Sequence, residues 1–169
     1  MSAESKKVSS VSAAQRSRFE ATRDTATLQL LFKAARLANE QALARVAAAA
    51  PAGRPRVRPA HTALFPHLGF EGIRLTDLAA KVGVTKQAVG QLVDDLAALG
   101  MVERVSDPDD SRAKRIRFSR RGHAALMHGL GVLGEIQDAL AASVGARRMR
   151  ELHETLKLVI GVLARNDQP

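Results

Sequence analysis

Two glutamines one helical turn apart could carry the chemistry of this chain. Gln87 and Gln91 lie in the segment VTKQAVGQLVDDLAALG, and Lys86 stands directly before the first of them. A glutamine amide presents a donor and an acceptor together, which matches N6 and N7 of adenine, and lysine can reach a guanine edge or a phosphate. Thr85 is of the type that caps a helix N-terminus. These residue types at this spacing predict a helix face that reads base edges in the major groove of DNA.

Gly90 lies between the two glutamines, and Asp94 and Asp95 follow them. A glycine inside a helix costs about 1 kcal/mol relative to alanine. Either its missing side chain lets the helix backbone approach DNA closely, or it is a neutral surface residue. Because phosphates repel carboxylates, we expect both aspartates at the end of the helix that leaves the groove, or paired with basic residues of the fold.

A basic segment follows further along the chain. Within ten residues, and with no acid among them, lie Arg112, Lys114, Arg115, Arg117, Arg120 and Arg121. Clustered positive charge on a projecting element is the electrostatic footprint of phosphate binding. Asp107, Asp109 and Asp110 precede the cluster, but the segment lacks the glycine and the distal glutamate of a calcium loop. We therefore expect these acids to orient the arginines rather than to bind a cation.

The elements that would position these residues are two short helices and a hairpin. Apolar residues at helical spacing run through 75–82, Gly83 interrupts them, and a second apolar stripe runs through 88–99. Two short helices joined by a turn that contains glycine are the helix-turn-helix signature. Residues 101–105 and 114–118 alternate apolar and charged side chains around a polar loop, which predicts a hairpin. A hairpin after a helix-turn-helix is a wing, and Ile73-Arg74 could add a third short strand beside it.

The stretch from Leu75 to Phe118 closely resembles the winged helix-turn-helix of the multiple-antibiotic-resistance regulator (MarR) family. The resemblance rests on VTKQAVGQLVDDLAALGMVER, on DPDDSRAK at the wing tip and on FSRRGHAAL after it. It implies that Arg112 is the wing arginine that enters the minor groove, where a narrow groove favours arginine, and that Asp110 holds that arginine and shapes the loop. The family pattern often has a basic residue where Gln91 stands and another where Asp109 stands. The expected DNA contacts are Thr85, Lys86, Gln87, Gly90, Gln91, Arg112, Lys114 and Arg115.

Helical segments flank this module. The sequence predicts a disordered tail over 1–16, a single long N-terminal helix over 17–50, the winged domain over 59–118 and C-terminal helices over 119–165, with Ser119 as an N-cap and a break near Gly145. The Pro- and Arg-rich segment 51–60 must be a loop, either a connector or a reach toward phosphates, and a short helix is expected over His61 to Leu68. In the MarR family such flanking helices interlock into a two-fold dimer over a palindrome; an intramolecular bundle is the alternative. The predicted fold class is mainly α with a small β-wing, a winged helix-turn-helix flanked by N- and C-terminal dimerisation helices.

Composition narrows the function further. The chain has 169 residues, a formal net charge of +9 and no cysteine, so an anionic partner is favoured and thiol chemistry is excluded. Only 3% of residues are aromatic, which argues against stacking platforms for single-stranded nucleic acid. His61 and His67 do not share a helical face, so we expect no metal site, and no catalytic motif or cofactor site is recognisable. No apolar run reaches the length of a membrane span, and we expect a bacterial cytoplasmic, nucleoid-associated protein without membrane contact.

These observations predict a homodimeric transcriptional regulator, not an enzyme, that binds a palindromic duplex. The resemblance implies a repressor released by a small molecule, often an aromatic acid, that lodges between the winged domain and the dimerisation helices. Phe32, His61 and Phe65 are candidate lining residues by their position. Two other functions stay open: an architectural protein that binds DNA without sequence preference, and a winged-helix module that docks an acidic protein.

Overall fold

The computed structural model of the chain describes residues 12–49, 56–110 and 112–166. The α-helices are α1 (Ala13–Thr25), α2 (Thr27–Ala48), α3 (Pro59–Thr62), α4 (Leu75–Val82), α5 (Lys86–Ala98), α6 (Arg120–Val144) and α7 (Ala146–Asn166). A 3-10 turn spans Phe65–His67, and the strands are β1 (Ile73–Arg74), β2 (Val102–Ser106) and β3 (Lys114–Phe118). The predicted fold class, mainly α with a small β-wing, is confirmed. The chain divides into two compact units, residues 1–38 and 39–169.

The first helix begins at Ala13, inside the segment that the sequence assigned to a disordered tail. Its start is a reciprocal cap, because Ser12 Oγ accepts from the Gln15 N–H at 3.2 Å and Gln15 Oε1 accepts from the Ser12 N–H at 3.0 Å. The earlier part of the expected tail, residues 1–11, lies outside the described residues. A serine followed three residues later by glutamine was the local signal for this helix start.

The expected single long helix is two helices, which is a correction. Ala26 separates α1 from α2, and its carbonyl accepts the Leu30 N–H at 3.1 Å as the second helix begins. Threonines flank this alanine on both sides, and β-branched residues that can bond to nearby backbone groups favour helix ends over helix interiors. The second helix ends at Ala48, and half of the expected loop, residues 51–55, lies outside the described residues.

The three strands form one antiparallel sheet in the order β1-β3-β2. In the wing hairpin Val102 pairs with Phe118 and Ser106 with Lys114, while the short first strand pairs Ile73 with Ile116. The third strand beside the wing is therefore confirmed. Ile116 is 2% exposed and joins this sheet to the core beneath it.

The core of the winged domain lies between the two helices of the helix-turn-helix and the sheet. Its buried members are Leu64, Leu68, Leu78, Ala79, Val89, Val93, Leu96, Met101, Val102 and Ile116. Gly83 ends α4 with φ 75°, a left-handed conformation that glycine adopts without strain, and so it makes the turn between the two helices.

The start of α6 is joined closely to the winged domain. Ser119 Oγ accepts from the Gly122 N–H at 2.9 Å and donates to the Gly100 carbonyl at 2.6 Å, and the Ser119 N–H donates to the Met101 carbonyl at 3.0 Å. A Cβ atom on Gly122 would lie 1.7 Å from the Met101 carbonyl oxygen, so no other residue fits here. The predicted cap at Ser119 therefore also ties the helix to the winged domain. Gly145, with φ 100°, separates α6 from α7 as predicted.

Candidate nucleic-acid interface

The second helix of the helix-turn-helix, α5, divides into a buried and an exposed side. Val89, Val93 and Leu96 are completely buried, while Lys86, Gln87 and Gln91 are exposed. Thr85 Oγ accepts from the Ala88 N–H at 3.2 Å, which satisfies one free amide of the first turn. The structure therefore brings the predicted base-reading side chains to the surface of a capped N-terminal turn.

Gly90 is half-buried on the side of α5 that faces α4. A Cβ atom added to it would lie 3.9 Å from Cδ2 of Leu75, which is ordinary van der Waals contact. Packing within the fold therefore does not require a glycine at this position.

Both aspartates of α5 are paired with basic side chains, as expected. Asp94 Oδ1 accepts from Arg104 of β2 at 2.6 Å, so the carboxylate is bound to the wing. Asp95 Oδ2 accepts from Arg58, and Asp95 Oδ1 accepts from the Gln91 amide at 3.2 Å. The negative charges that follow the base-reading face are thus largely compensated within the fold.

His61 lies against the pair formed by Arg58 and Asp95. Its side chain is 1% exposed, Nδ1 accepts from the Arg58 N–H at 3.0 Å, and Nε2 lies 3.5 Å from Asp95 Oδ2. Burial lowers the pKa of His61, although the hydrogen bond with Asp95 opposes that shift. The ring is therefore neutral near pH 7, and its proton sits on Nε2 because Nδ1 is an acceptor.

The loop between the two wing strands is held at its start by the buried carboxylate of Asp107. Asp107 Oδ2 lies 2.5 Å from Arg74 Nε and 3.1 Å from Arg115 Nε, and Oδ1 accepts from the Asp109 N–H at 3.0 Å. The hydrogen bond from Arg74 holds the pKa of Asp107 far below its usual range, and burial opposes it less strongly. Because Arg74 belongs to β1, this carboxylate ties the wing loop to the neighbouring strand.

The predicted basic cluster is divided by the fold. Arg115 also reaches Asp109 at 3.0 Å and is only 23% exposed, and Arg117 pairs with Glu103 across the hairpin at 2.8 Å. Arg115, expected to contact DNA, is thus turned toward acids that the sequence places upstream of the cluster. It braces the wing instead of presenting a free charge.

The remaining cations of the wing are Arg112 and Lys114, and both are exposed. Lys114 Nζ donates to Ser106 Oγ at 3.0 Å, and the backbone N–H of Arg112 donates to Asp110 Oδ1 at 3.0 Å. Asp110 therefore fixes the backbone from which the Arg112 side chain leaves. Ser111, between them, lies outside the described residues.

Part of the chain matches a known protein family in sequence. The sequence profile of the MarR family matches residues 58–113.

Residues 58–113, which hold the helix-turn-helix and the first strand of the wing hairpin, match the MarR family.

Solved structures share the fold over most of the chain. Transcriptional regulator Tm0710 from Thermotoga maritima is 22% identical, with a TM-score of 0.58 over 83% of this chain and 96% of that one. Wild-type MarR from E. coli, in its apo form, is 18% identical, with a TM-score of 0.63 over 79% and 96%. The transcriptional repressor CouR, bound to a 23-mer DNA duplex, is 19% identical, with a TM-score of 0.60 over 90% and 99%. A search of curated proteins gave no significant match. The MarR resemblance is confirmed over residues 58–113, and the fold of these regulators is shared over most of the chain.

A cavity of about 610 Å³ adjoins the MarR-family domain. Residues of α2 between 39 and 47, the segment 56–66 and residues 121–133 of α6 form most of its wall. The wall is apolar apart from Asn39, Thr62 and two arginines, Arg56 and Arg121. Such a site suits a largely apolar ligand that carries a negative charge.

The three candidate lining residues have different positions. Phe65 lies in the wall of this cavity. His61 does not line it, because its ring is buried and turned toward Asp95. Phe32 belongs to the first compact unit, where its side chain is 66% exposed. Arg121, which the sequence assigned to the basic cluster, was missed as a cavity residue because only the fold brings it into the same cavity wall as Arg56.

Residues 12–49, 56–110 and 112–166 carry neither a metal-binding cluster nor a membrane-spanning helix. They contain no group of three histidine, cysteine or acidic side chains that could hold a metal ion. No helix among them is long and apolar enough to cross a membrane.

Proposed function

We propose that this chain is a homodimeric repressor that binds a palindromic DNA duplex through α5 and the wing. The observation that carries the proposal is the exposed row of Lys86, Gln87 and Gln91 on a helix whose other side is buried. A recognition helix inserts its N-terminal half into the major groove, and these three residues occupy that half. Gln87 and Gln91 read base edges, and Lys86 contacts a guanine edge or a phosphate.

The wing supplies the second contact. Arg112 enters the adjacent minor groove, where the negative potential is strongest, and Lys114 contacts a phosphate. Asp110 and the buried Asp107 support this role because they hold the loop backbone before DNA arrives. A preformed wing loses less conformational entropy on binding than a flexible one. Arg115 contributes by bracing the loop.

The C-terminal helix supports the dimer. In α7 the apolar residues Leu152, Leu158, Ile160, Val162 and Leu163 are between 47% and 72% exposed. A helix with this much exposed apolar surface requires a partner, and a second copy of the chain related by a two-fold axis provides one. Such a dimer would place its two recognition helices on half-sites about 34–36 Å apart.

The cavity supports release by a small molecule. Arg56 and Arg121 provide two positive charges in a largely apolar wall, so an aromatic carboxylic acid is the expected effector. Arg56 and Val57 line the cavity, and the next residue, Arg58, holds Asp95 on α5. An occupant that displaces this segment therefore acts on the recognition helix. The protein acts by binding and not by catalysis, in the bacterial cytoplasm on the nucleoid.

A titration tests the proposal. Duplexes from the region upstream of the protein's own gene and scrambled duplexes are compared at about 0.15 M salt, where nonspecific attraction is screened. One duplex should bind at least roughly a thousandfold more tightly than its scrambled form, with two protomers per site. Equal affinity for all duplexes would favour an architectural protein. This is the second candidate function because a net charge of +9 suits nonspecific binding to DNA. Binding to no duplex would favour a protein-docking module.

The effector is tested on the same complex with two neighbouring arginines. Aromatic acids should weaken operator binding by the natural protein and by the control variant Arg120→Gln, since Arg120 does not line this cavity. The variant Arg121→Gln should respond much less. An equal response of both variants would show that the acid binds elsewhere.

A further inference from the structure

The two oxygens of the Asp95 carboxylate have different partners. Oδ1 accepts from Nε2 of Gln91, one turn earlier on α5, at 3.2 Å. Oδ2 faces the segment around α3, where it accepts from Arg58 and lies 3.5 Å from His61 Nε2. Oδ2 is thus held by the residues around α3, while Oδ1 accepts a hydrogen bond from Gln91, a proposed base-reading residue.

His61, one of the two residues that hold Oδ2, is itself fixed in place. His61 is 1% exposed, and its other nitrogen is occupied by the Arg58 N–H at 3.0 Å. The ring therefore cannot turn without breaking a buried hydrogen bond. Since α3 is distant from α5 in sequence, tertiary structure sets the position of the Oδ2 atom of Asp95.

An ionised carboxylate accepts hydrogen bonds and cannot donate them. The hydrogen bond from Gln91 is the largest cause that lowers the pKa of Asp95; burial opposes it, and His61 and Arg58 assist. Asp95 is therefore ionised at neutral pH, and Gln91 must turn its NH₂ group toward it. The opposite rotamer of the amide would place Oε1 against a negative oxygen.

This orientation leaves one N–H and the Oε1 atom of Gln91 available to DNA. The pair matches adenine, which presents N7 as an acceptor and N6–H as a donor. Guanine presents two acceptors in the major groove, N7 and O6, and a freely rotating amide could turn its NH₂ group toward them. An amide held by Asp95 cannot make this adjustment without losing its intramolecular partner.

We propose that Asp95 is a positioning residue for base recognition: held by Arg58 and His61, it fixes the carboxamide of Gln91 and makes the base pair read there selective for adenine. The inference rests on the proposed placement of α5 in the major groove. Asp95 itself does not contact DNA. Arg58 and His61 do not read bases either and act only by holding Asp95.

The test compares two neighbouring aspartates. Operator duplexes that carry each of the four base pairs at every position are titrated with the natural protein, and Gln91→Ala identifies the position read by Gln91. Asp95→Asn should reduce the preference for adenine at that position by about tenfold, a typical share of one bidentate contact, and leave the other positions unchanged. Asp94→Asn removes the same charge from the adjacent residue, which pairs with Arg104 instead. It should leave every preference intact.

A double-mutant cycle separates positioning from a general structural effect. In the Gln91→Ala background, Asp95→Asn should cause no further change in base preference. Arg58→Gln, which releases the other carboxylate oxygen, should reduce the same preference less strongly. The proposal is overturned if Asp95→Asn weakens all duplexes equally, or if it alters base preference when Gln91 is already alanine.

A measurement without DNA keeps this inference distinct from the proposed function. In the free protein the Gln91 amide proton that is bonded to Asp95 should resonate downfield of its position in Asp95→Asn, whereas Asp94→Asn should leave both amide protons of Gln91 unshifted. Unchanged resonances in Asp95→Asn would overturn the positioning role. A natural protein that prefers no base at any position would overturn the proposed function and the specificity role, while the resonances would still show whether Asp95 holds Gln91.

Discussion

Replacing Gly122 with alanine should force α6 away from the winged domain where the two are closest. The added Cβ would lie 1.7 Å from the Met101 carbonyl oxygen and 2.6 Å from its carbon, so the backbone itself has to move. That shift would also strain the hydrogen bond from the Ser119 N–H to the same carbonyl, which is 3.0 Å long. Overpacking costs about 1–3 kcal/mol, and a clash with backbone belongs at the upper end. A loss of about 3 kcal/mol corresponds to about 6–12 °C in melting temperature for a chain of this size.

Thermal unfolding followed by circular dichroism measures the effect at one fixed protein concentration, since the stability of a dimer depends on concentration. Gly131→Ala is the matched control in the same helix, because a Cβ atom there meets nothing within 4 Å. Its melting temperature should equal that of the natural protein or lie slightly above it, since alanine in a helix is more stable than glycine by about 0.5–1 kcal/mol. If Gly122→Ala has the same melting temperature as Gly131→Ala, the close contact between α6 and Met101 does not constrain this fold.

Three further predictions concern the residues that hold and use the DNA-binding surface. Asp107 has a lowered pKa in the folded state, so its stabilisation is complete above its unfolded pKa of about 3.9 and is lost progressively as the pH falls from that value through the lower pKa of the folded state. Asp107→Asn should therefore melt below the natural protein at pH 7 and approach it at pH 3; a constant difference would contradict this. Thr85→Ala should cost about 1 kcal/mol in urea unfolding and weaken DNA binding, while Thr85→Ser should restore both. Lys114→Ala should reduce the salt dependence of operator binding by about 0.9 in log–log slope, since Lys114 contacts one phosphate, and an unchanged slope would exclude that contact.

Local patterns predicted the elements of the winged domain well. Gly83 and Thr85 are a helix end and a helix start separated by one residue, and the structure confirms both through a left-handed φ and a side-chain cap. Ser119 was recognisable in the same way. Alternation of apolar and charged residues predicted the wing strands because each strand has one side on the core. These signals are contained within a few neighbouring residues, which is why sequence alone suffices for them.

Partners that are distant in sequence could not be predicted in this way. Arg74 and Asp107 are 33 residues apart, and Arg58 and Asp95 are 37 apart. No periodicity links such pairs, since the sheet register and the packing of α3 on α5 bring them together. Arg115 was expected to contact DNA for the same reason: its charge was visible, whereas its acidic partners depended on the fold. Ala26, by contrast, interrupts the N-terminal helix between two threonines, a local signal that was available.

The most direct test of the account is the double variant Gln87→Ala with Gln91→Ala, titrated against the selected operator duplex and its scrambled form at about 0.15 M salt. Both side chains are exposed, so the variant should fold and dimerise normally. We predict that its affinity for the operator falls to its affinity for the scrambled duplex, which itself stays unchanged because the phosphate contacts are kept. A double variant that still distinguishes the two duplexes as well as the natural protein would contradict the assignment of α5 as the element that reads the sequence.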